Sequence, residues 1–355
     1  MHVAVIGATG NAGRLIARFL LEDPSIEVNA CARSAPRLRA LHSSLGSTAG
    51  TLRSTVVDVT RRSDMLEVVS QADLVVGATS RAAHAPDLAA LAVEAGTSYL
   101  GVYLSEPAKW RRLRNLHQPC VERGVMVVDD GGWHPGVPAA MVRAAAEQGA
   151  LSEAWVGAKF GVRWDELDVV GDTIDDFLTE METTDPSVWV DEGWIRGFRH
   201  SHRFEFGLGG DPVSCIPMCL EETRELAASG TLNSTGFFMA GFGPAVDYGV
   251  LPLSVGLAKI KRAWGAGLLW WGLRRFASSS DFGVLVLDGR RRASGEAVRM
   301  RVLHSDPYVL TAAPAVATIR QMMSQPRPGV WTQAAFVDPT RFFAQLGEMG
   351  VQVEM

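Results

Sequence analysis

A glycine-rich turn between a short apolar segment and a helix restricts the fold of this chain more than any other feature. Residues 2–23 read HVAVIGATGNAGRLIARFLLED. The β-branched run predicts a strand, and the apolar residues that follow the glycines recur on one helical face. Gly7, Gly10 and Gly13 have the spacing with which one glycine makes a tight turn, one lets backbone N–H groups approach a pyrophosphate, and one packs helix against strand. This context favours dinucleotide binding, and the alternative is a tight β–α turn without a ligand.

Alternation of strands and helices continues to about residue 148. After IEVNACAR, the segments STVVDVT, ADLVVGATS, TSYLGVY and VMVVDDGG have strand character, and RRSDMLEVVSQ, APDLAALAVEAG and PAKWRRLRNLHQPCVERG have helix character. Such alternation indicates a doubly wound parallel sheet. We therefore expect a Rossmann-like NAD(P)-binding domain over residues 1–148.

The end of the second predicted strand distinguishes between cofactors. An NAD-specific site usually has Asp or Glu there, whereas this chain has Ala32, Arg33 and Ser34. A guanidinium and a hydroxyl bind a 2′-phosphate that a carboxylate would repel, so NADP(H) is favoured over NAD(H). The alternative is a solvated arginine at a helix start. We assign cofactor binding to Gly7, Ala8, Thr9, Gly10, Asn11, Ala12, Gly13, Ala32, Arg33, Ser34, Asp58, Ala78, Thr79 and Ser80.

The pattern changes near residue 149. Alternating segments such as EAWVGAKFGVRW predict an inserted α+β domain over 149–304 with a mostly antiparallel sheet, for substrate binding or dimerisation. FGVLVLDGRRRASGEAVRMRVLHS predicts a β-hairpin with DGRRRASGE as its polar connection. An acidic stretch near residues 165–192 is interpreted as a solvated loop and helix face, or as a surface that attracts a cationic substrate. Residues 305–355 are expected to return to the first domain.

Residues 257–277 contain three tryptophans in a run flanked by basic residues. The uncharged centre, residues 263–273, is shorter than the about 20 residues that span a bilayer. The segment is a candidate for peripheral membrane or lipophilic contact, and the alternatives are a lid, a dimer-interface helix or a core helix.

Bulk composition and the cysteine pattern bear on the partners and the location of this protein. The 355 residues carry a net charge of −5 and are 47% hydrophobic, which gives no reason to expect nucleic acid. The N-terminus runs directly into the first strand without a charged leader, so a cytoplasmic protein is expected. The four scattered cysteines fit reduced core thiols, and CIPMC with the upstream HSH lacks the usual zinc spacing, so no metal site is predicted.

Several segments, in order along nearly the whole chain, carry a family resemblance. They are GATGNAG, ADLVVGATSRAAH, AGTSYLGV, RGVMVVDDGGWHPGVPAAM and DPYVLTAAPAVATIRQMM followed by GVW. With these, the chain resembles the saccharopine dehydrogenase-like oxidoreductases. The resemblance implies a Rossmann domain, an inserted α+β domain, a C-terminal segment that packs back on the first, and NAD(P)-dependent hydride transfer in the cleft between domains. His134 stands where amino-acid-forming relatives usually have aspartate, and Gly101 and Val102 occupy a region where aspartate is common, so saccharopine itself is not the expected substrate.

The turn DDGGWHPG lies at the carboxyl end of a predicted strand, where open α/β sheets bind ligands. Reduction needs a proton donor, and His134 is the first candidate, with stabilisation of its own turn as the alternative. Tyr99 and Tyr103 are further candidates for donating a proton, with packing as their alternative. Substrate binding is assigned to His84, Asp129, Asp130, Trp133 and Tyr308.

The leading hypothesis is an NADP-dependent reductase acting on a C=N, C=C or C=O bond of a small, lipophilic biosynthetic intermediate. A non-catalytic NADP-binding regulator is one alternative, and a trans-acting reductase of carrier-bound substrates is another. Such enzymes are often homodimers, and the sequence leaves the oligomeric state open.

Overall fold

The computed structural model describes residues 1–79, 82–164, 166, 171–209, 211–277 and 280–355. Two compact units divide the chain. The first comprises Met1–Ala140 and Tyr308–Val351, and the second comprises Met141–Pro307 and Gln352–Met355.

The strands in chain order are β1 (His2–Ile6), β2 (Glu27–Ala32), β3 (Thr51–Val56), β4 (Leu74–Gly77), β5 (Ser98–Gly101), β6 (Met126–Asp129), β7 (Leu151–Gly161), β8 (Ser187–Val190), β9 (Gly193–Arg196), β10 (His202–Phe204), β11 (Val213–Pro217), β12 (Ser234–Ala240), β13 (Phe282–Arg291), β14 (Ala297–His304), β15 (Gly329–Thr332) and β16 (Gln352–Glu354). The α-helices are α1 (Asn11–Leu20), α2 (Ala35–Leu45), α3 (Arg62–Ser70), α4 (Ala85–Ala95), α5 (Pro107–Arg114), α6 (His117–Arg123), α7 (Val137–Glu147), α8 (Gly171–Thr183), α9 (Glu221–Ala228), α10 (Leu251–Ala258), α11 (Arg262–Phe276), α12 (Pro307–Ser324), α13 (Gln333–Phe336) and α14 (Pro339–Glu348). A 3₁₀ turn spans Ala82–His84, and a π-helical turn spans Val246–Val250.

The first unit contains a parallel sheet in the order β15-β6-β5-β4-β1-β2-β3. Its central strands are short apolar runs buried along their length, as expected when helices cover both faces of a sheet. The strand order reverses between β1 and β4, which creates the crevice where doubly wound folds bind nucleotides. The predicted Rossmann-like sheet is confirmed.

The second unit contains a mixed sheet in the order β10-β11-β12-β7-β13-β14-β16, with β8 and β9 attached at β12. Every pairing in it is antiparallel except that between β12 and β7, so the predicted mostly antiparallel sheet is confirmed. The predicted hairpin is β13–β14. Its connection is shorter than predicted because β13 continues to Arg291 and pairs with β14 as far as Arg290.

Two predicted elements have different bounds in the structure. The predicted helix over 107–124 is two helices, α5 and α6, and the interruption places Pro119 in the first turn of α6, where its missing N–H costs no hydrogen bond. The third strand begins at Thr51 rather than Ser54, because β3 is an exposed edge strand whose pairing with β2 sets its register.

The acidic stretch includes α8 and β8, while residues 165 and 167–170 lie outside the described part of the chain. Among the described residues, no helix is long and apolar enough to cross a membrane.

Candidate functional site

The glycine-rich turn after β1 is held tightly at the end of the sheet. Gly7 and Ala8 donate their N–H groups to the Cys31 carbonyl at 2.9 and 3.2 Å. Gly7 has φ +90°, and a Cβ on it would lie 2.4 Å from the Ala78 carbonyl oxygen. A Cβ on Gly13 would lie 2.3 Å from the Gly7 carbonyl oxygen. Glycine is therefore required for α1 to begin beside the ends of β1 and β4.

The start of α1 fits the pyrophosphate of a dinucleotide. Gly10 is exposed at the N-cap, and within the described chain no side chain caps the helix. The first N–H groups of a helix have no intrahelical acceptor and attract anions. A Cβ on Gly10 would narrow this cradle and would lie 3.3 Å from the Gly7 carbonyl oxygen. Ala8, Thr9, Asn11 and Ala12, all predicted to bind the cofactor, belong to the same turn and helix start.

Arg33 and Ser34 follow β2 directly. The Ser34 hydroxyl caps α2 by accepting a hydrogen bond from the Arg37 N–H at 3.4 Å, whereas Arg33 is exposed. Within the described residues no carboxylate lies within ion-pair distance of Arg33. The charge of Arg33 is nevertheless close enough to lower the pKa of Asp58. The Asp58 carboxylate accepts hydrogen bonds from the Thr60 N–H at 3.0 Å and the Thr60 hydroxyl at 2.8 Å. These bonds lower the pKa of Asp58, and the charges of Arg61 and Arg33 lower it further.

Two glycines at the ends of adjacent strands make room for a buried polar cluster. Gly77 of β4 and Gly101 of β5 are paired in register. A Cβ on Gly77 would lie 2.8 Å from both the Tyr99 and the Tyr103 hydroxyl oxygens. A Cβ on Gly101 would lie 2.0 Å from Oδ2 of Asp129 and 3.0 Å from the Tyr99 hydroxyl oxygen. The absence of these two side chains lets three polar groups from β5, β6 and the loop after β5 converge.

Thr79 connects this cluster to the glycine-rich turn after β1. The Tyr103 and Thr79 hydroxyl oxygens are 3.1 Å apart and hydrogen-bonded. Thr79 follows β4, and its backbone nitrogen would lie 3.1 Å from a Cβ on Gly7. The phenol of Tyr103 is therefore linked by one hydroxyl to the crevice between β1 and β4.

A lysine neutralises part of the charge of the two aspartates at the end of β6, Asp129 and Asp130. Lys109 donates from Nζ to Asp129 Oδ1 and, at 2.7 Å, to Asp130 Oδ1. Asp130 Oδ2 accepts from Trp110 Nε1 at 2.9 Å and from the Ser105 hydroxyl at 2.6 Å. The side chains of Lys109 and both aspartates are at most 1% exposed. One cation thus faces two carboxylates where water is excluded.

The pKa values reflect this enclosure. Burial alone would lower the pKa of Lys109, but the two carboxylates raise it above its ordinary value. Burial raises the pKa of Asp129, and the charge of Asp130 adds to this while Lys109 opposes it. Burial raises the pKa of Tyr103 to about 12, and it also raises the pKa of Tyr99. Both phenols therefore hold their protons at neutral pH.

Two buried atoms of the cluster make no hydrogen bond to the described residues: the Tyr99 hydroxyl oxygen and Asp129 Oδ2. Both lie over Gly101. Buried polar atoms are rarely left without a partner, and such exceptions are commonly found where a site performs chemistry.

The turn DDGGWHPG after β6 is held by a residue from the C-terminal part of the chain. Gln333 donates from Nε2 to the Gly132 carbonyl at 2.9 Å and accepts from the Gly132 N–H at 3.1 Å. A Cβ on Gly136, which has φ +118°, would lie 2.3 Å from that same Nε2. The Trp133 and His134 rings pack edge to face with centroids 4.1 Å apart. This arrangement fixes the turn at the carboxyl edge of the sheet.

The imidazole of His134 is neutral at pH 7, because burial lowers its pKa from 6.5 to about 3. A protonated imidazolium, the form implied by its predicted role as acid, is therefore disfavoured at that pH. The role of His134 stays a prediction.

The predicted site residues thus fall into groups. Tyr99, Tyr103, Thr79, Asp129 and Asp130 are brought together, and the Ala78 backbone packs against Gly7. His84 is half-buried at the end of the 3₁₀ turn before α4, Tyr308 is half-buried in the first turn of α12, and Ala32 ends β2. Ser80, predicted to bind cofactor, lies outside the described residues.

Sequence reasoning missed Lys109, Trp110, Ser105 and Gln333. A signal for Lys109 existed: it precedes Leu113 by four positions and Trp110 by one, on the buried face of α5, while Arg111 and Arg112 face solvent. A lysine on the buried face of a helix needs an anionic partner. No comparable signal marks Gln333, whose partner is 201 residues away.

Comparisons with known proteins agree with this fold. Residues 3–128 match the family model described as Saccharopine dehydrogenase NADP binding domain. Apo saccharopine dehydrogenase (L-Glu forming) from Saccharomyces cerevisiae is similar over 99% of each chain, with 13% identity and a TM-score of 0.67. Amine dehydrogenase from Mycobacterium smegmatis is similar over 95% of this chain and 96% of its own, with 14% identity and a TM-score of 0.51. The comparison with curated proteins gave no match.

At these identities the structural likeness shows the fold, while the family model assigns the N-terminal domain. Together they confirm the predicted resemblance. The N-terminal domain is thus similar to the NADP binding domain of saccharopine dehydrogenase, and the whole chain shares the fold of that enzyme.

Proposed function

We propose that this protein is an NADPH-dependent reductase of a C=O or conjugated C=C bond in a small, lipophilic biosynthetic intermediate other than saccharopine. The observation that carries the proposal is the Tyr103–Thr79 hydroxyl pair beside the glycine-rich turn. When bound, the nicotinamide cofactor supplies a hydride. The residues of this chain must then hold the cofactor, position the acceptor and deliver a proton.

NADPH is favoured over NADH by the residues after β2. The exposed guanidinium of Arg33 would bind a 2′-phosphate by charge-assisted hydrogen bonds. Asp58, the nearby carboxylate, already accepts two hydrogen bonds from Thr60. Gly10 and the first turn of α1 would hold the pyrophosphate.

Tyr103 is the group we propose as proton donor. Its pKa of about 12 keeps it protonated at neutral pH, and such a weak acid is matched to a strongly basic oxyanion. Reduction of a ketone or of an enoyl thioester places that negative charge on oxygen. The Tyr103 hydroxyl would give its proton to this alkoxide, or to the enolate, whose enol then tautomerises to the saturated thioester. Thr79 keeps the phenol directed toward the crevice.

An imine, the third substrate class considered, fits less well. Imine reduction is helped by protonating nitrogen before hydride arrives, which calls for an acid with a pKa near neutrality. Tyr103 is too weak an acid for this, and His134 is already neutral. His134 would contribute as a neutral hydrogen-bonding group instead.

Lys109, Asp129 and Tyr99 are positioning residues in this proposal. Lys109 fixes both carboxylates, and Asp129 with Tyr99 fills the space over Gly101 next to the Tyr103 phenol. The charge of Asp129 also helps to raise the pKa of Tyr103. These groups keep the proposed donor rigid and protonated.

A non-catalytic NADP-binding regulator is the second candidate. One observation favours it: the two aspartates of the turn are engaged with Lys109 and the imidazole of His134 is neutral. Such a protein would bind cofactor and pass no hydride.

The first test is titration with NADPH and NADH, followed by energy transfer from tryptophan to the dihydronicotinamide. We expect NADPH to bind more tightly, and R33A to weaken NADPH binding about tenfold or more without affecting NADH. R111A, which removes an exposed arginine of α5, is the matched control. Equal affinities for both cofactors, unchanged by R33A, would contradict the assignment of Arg33.

The second test is NADPH oxidation with ketones, enoyl thioesters and imines, each thioester offered free and on a carrier protein. Y103F should lower kcat about 10²- to 10⁴-fold with little change in the Kd for NADPH. Y248F, at an exposed tyrosine in the second unit, should behave as wild type. Turnover with carrier-bound substrates alone would assign a trans-acting reductase, and tight NADPH binding without turnover would favour the regulator. Full activity of Y103F would exclude Tyr103 as donor.

A further inference from the structure

The helical hairpin formed by α10 and α11 in the second unit has closely packed inner faces. A Cβ on Gly265 would lie 2.4 Å from the Ser254 carbonyl oxygen of α10, and one on Gly272 would lie 2.3 Å from Cγ1 of Val250, the last residue of the π-helical turn before α10. The buried residues of α11, which include Leu269 and Leu273, share this side of the helix. These faces pack against each other, so the opposite side of each helix points away from the contact.

That outer side is apolar and exposed. Trp264 and Trp271 of α11 are 55% and 54% exposed, and they lie two helical turns apart on one stripe. Leu253 and Ile260 form the corresponding stripe of α10 and its end, at 64% and 75% exposure, and Tyr248 just before α10 is 85% exposed. Large apolar side chains clustered in this way mark interaction sites.

The same face is cationic. Lys259, Lys261, Arg274 and Arg275 are exposed, and residues 248–277 contain no acidic residue although the chain as a whole has a net charge of −5. The Lys261 ammonium lies 5.3 Å from the centroid of the Trp264 ring, so basic and aromatic groups are interleaved.

Arg262 does not belong to this cationic set. Its guanidinium forms ion pairs with Asp175 at 2.5 Å and Glu182 at 2.7 Å, both on α8. These pairs tie the hairpin to the body of the second unit and leave the other four cations directed to solvent.

We propose that this face, the outer side of the α10–α11 hairpin, binds the surface of a membrane that contains anionic lipids. Tryptophan rings settle at the headgroup level, aliphatic side chains enter the acyl boundary, and lysine and arginine contact phosphate groups. This surface lies outside the cofactor and proton-donor residues, so the inference does not depend on the proposed reaction.

A second copy of the chain is a poorer occupant for this face. In a two-fold dimer the same patch supplies both sides of the interface, and because residues 248–277 contain no acidic residue, the eight cations of the two copies would share it without a carboxylate from this segment. Like charges placed together at an interface are unfavourable. An anionic bilayer supplies an apolar interior for the exposed aromatic and aliphatic side chains and phosphate groups for the four cations.

Flotation of the full chain with vesicles tests the proposal. Vesicles of phosphatidylcholine mixed with phosphatidylglycerol should carry the protein, whereas phosphatidylcholine alone should carry little. K261E with R275E should weaken binding to the mixed vesicles about tenfold or more, and W264A with W271A should do the same and remove a blue shift of tryptophan emission. W194A, at an exposed tryptophan of β9, is the matched control and should bind as wild type.

Circular dichroism of each variant establishes that it is folded. No flotation with mixed vesicles, or equal flotation of the charge-reversed variant, would overturn the proposal. A homodimer seen by sedimentation velocity and dissociated by W264A with W271A would also overturn it, by assigning the face to a second copy.

Discussion

Lys109 shows at the scale of one residue how the candidate site is held together. Its ammonium contacts two carboxylates in surroundings that exclude water, and neither carboxylate can recover hydration if the lysine is removed. Buried ion pairs often add little net stability, but breaking one leaves a costly isolated charge. The lysine is therefore important because the aspartates beside it are buried.

K109M should lower the free energy of unfolding by about 3–5 kcal/mol, since it leaves two buried carboxylates without a cation. Urea denaturation at pH 7 measures this. R112M is the control, because Arg112 lies on the same helix as Lys109. It breaks an ion pair with Asp87 in which both side chains are more than half exposed, and it should change stability by less than about 1 kcal/mol. Adding D129N and D130N to K109M should restore part of the loss. Equal effects of K109M and R112M would show that the cluster is not energetically isolated from water.

His134 should make the protein sensitive to acid. Because its pKa is lowered from 6.5 to about 3, the native state stays unprotonated in a range where the unfolded chain takes up a proton. This contribution to stability is complete above pH 6.5 and is lost as pH falls toward 3. Between pH 7 and pH 4, wild type should lose about 3 kcal/mol more than H134Q.

Urea unfolding at several pH values measures this difference. H200Q, at an exposed histidine, should follow wild type throughout. Parallel pH curves for wild type and H134Q would mean that the imidazole is solvated in the native state.

At the scale of elements, the paired glycines at the ends of β4 and β5 shape the site. Their importance comes from the side chains that approach them, namely the phenols of Tyr99 and Tyr103 and the carboxylate of Asp129. Neither glycine has positive φ, so packing alone explains the requirement.

G101A should destabilise the protein by about 1–3 kcal/mol, because its Cβ would overlap Oδ2 of Asp129. The displaced carboxylate would also weaken the contact with Lys109. Thermal unfolding reports the loss, and G267A is the control. Gly267 lies in α11 with no atom within 4 Å of a Cβ, so alanine there should stabilise by up to about 1 kcal/mol. A neutral G101A would show that the strand ends can shift at little cost.

The sequence predicted those parts of the structure whose cause is local. The turn around Gly7 and the strand ahead of it follow from residue types a few positions apart, and both are present. The strand order and the position of Asp129 at a strand end follow from general rules for parallel sheets. The break before α6 was missed although Pro119 pointed to it.

Contacts between distant segments could not be predicted in the same way. Lys109 is 20 residues from Asp129, and no period in the sequence relates the two. The pKa of His134 depends on burial by elements that a single sequence does not place. Local patterns therefore predicted the parallel sheet, whereas the contacts between side chains within the site became known only from the three-dimensional structure.

At the scale of the whole molecule, the first unit is built from two separated parts of the chain. Tyr308–Val351 supplies β15, which pairs with β6, and the long buried helix α12. Without them, β6 would be an unprotected edge beside an uncovered core.

Residues 1–140 alone should therefore fail to fold cooperatively, whereas residues 1–140 joined through a flexible linker to 308–351 should fold and bind NADPH. Thermal melts by circular dichroism and energy transfer to NADPH provide the measurements. A linked fragment that lacks β15 but keeps α12 separates the contribution of the strand from that of the helix. Cooperative folding of residues 1–140 alone would contradict the dependence on the C-terminal part.

The amide of Gln333 that holds Gly132 has a consequence for synthesis of the protein. A ribosome makes the glycine-rich turn first and reaches Gln333 only 201 residues after Gly132. Domains generally fold as units during synthesis, but this one must wait for its last strand and its last contact. A nascent polypeptide that has not reached β15 would thus display an apolar sheet edge and a turn after β6 that Gln333 does not yet hold. Chaperones or proteases would meet it in that state.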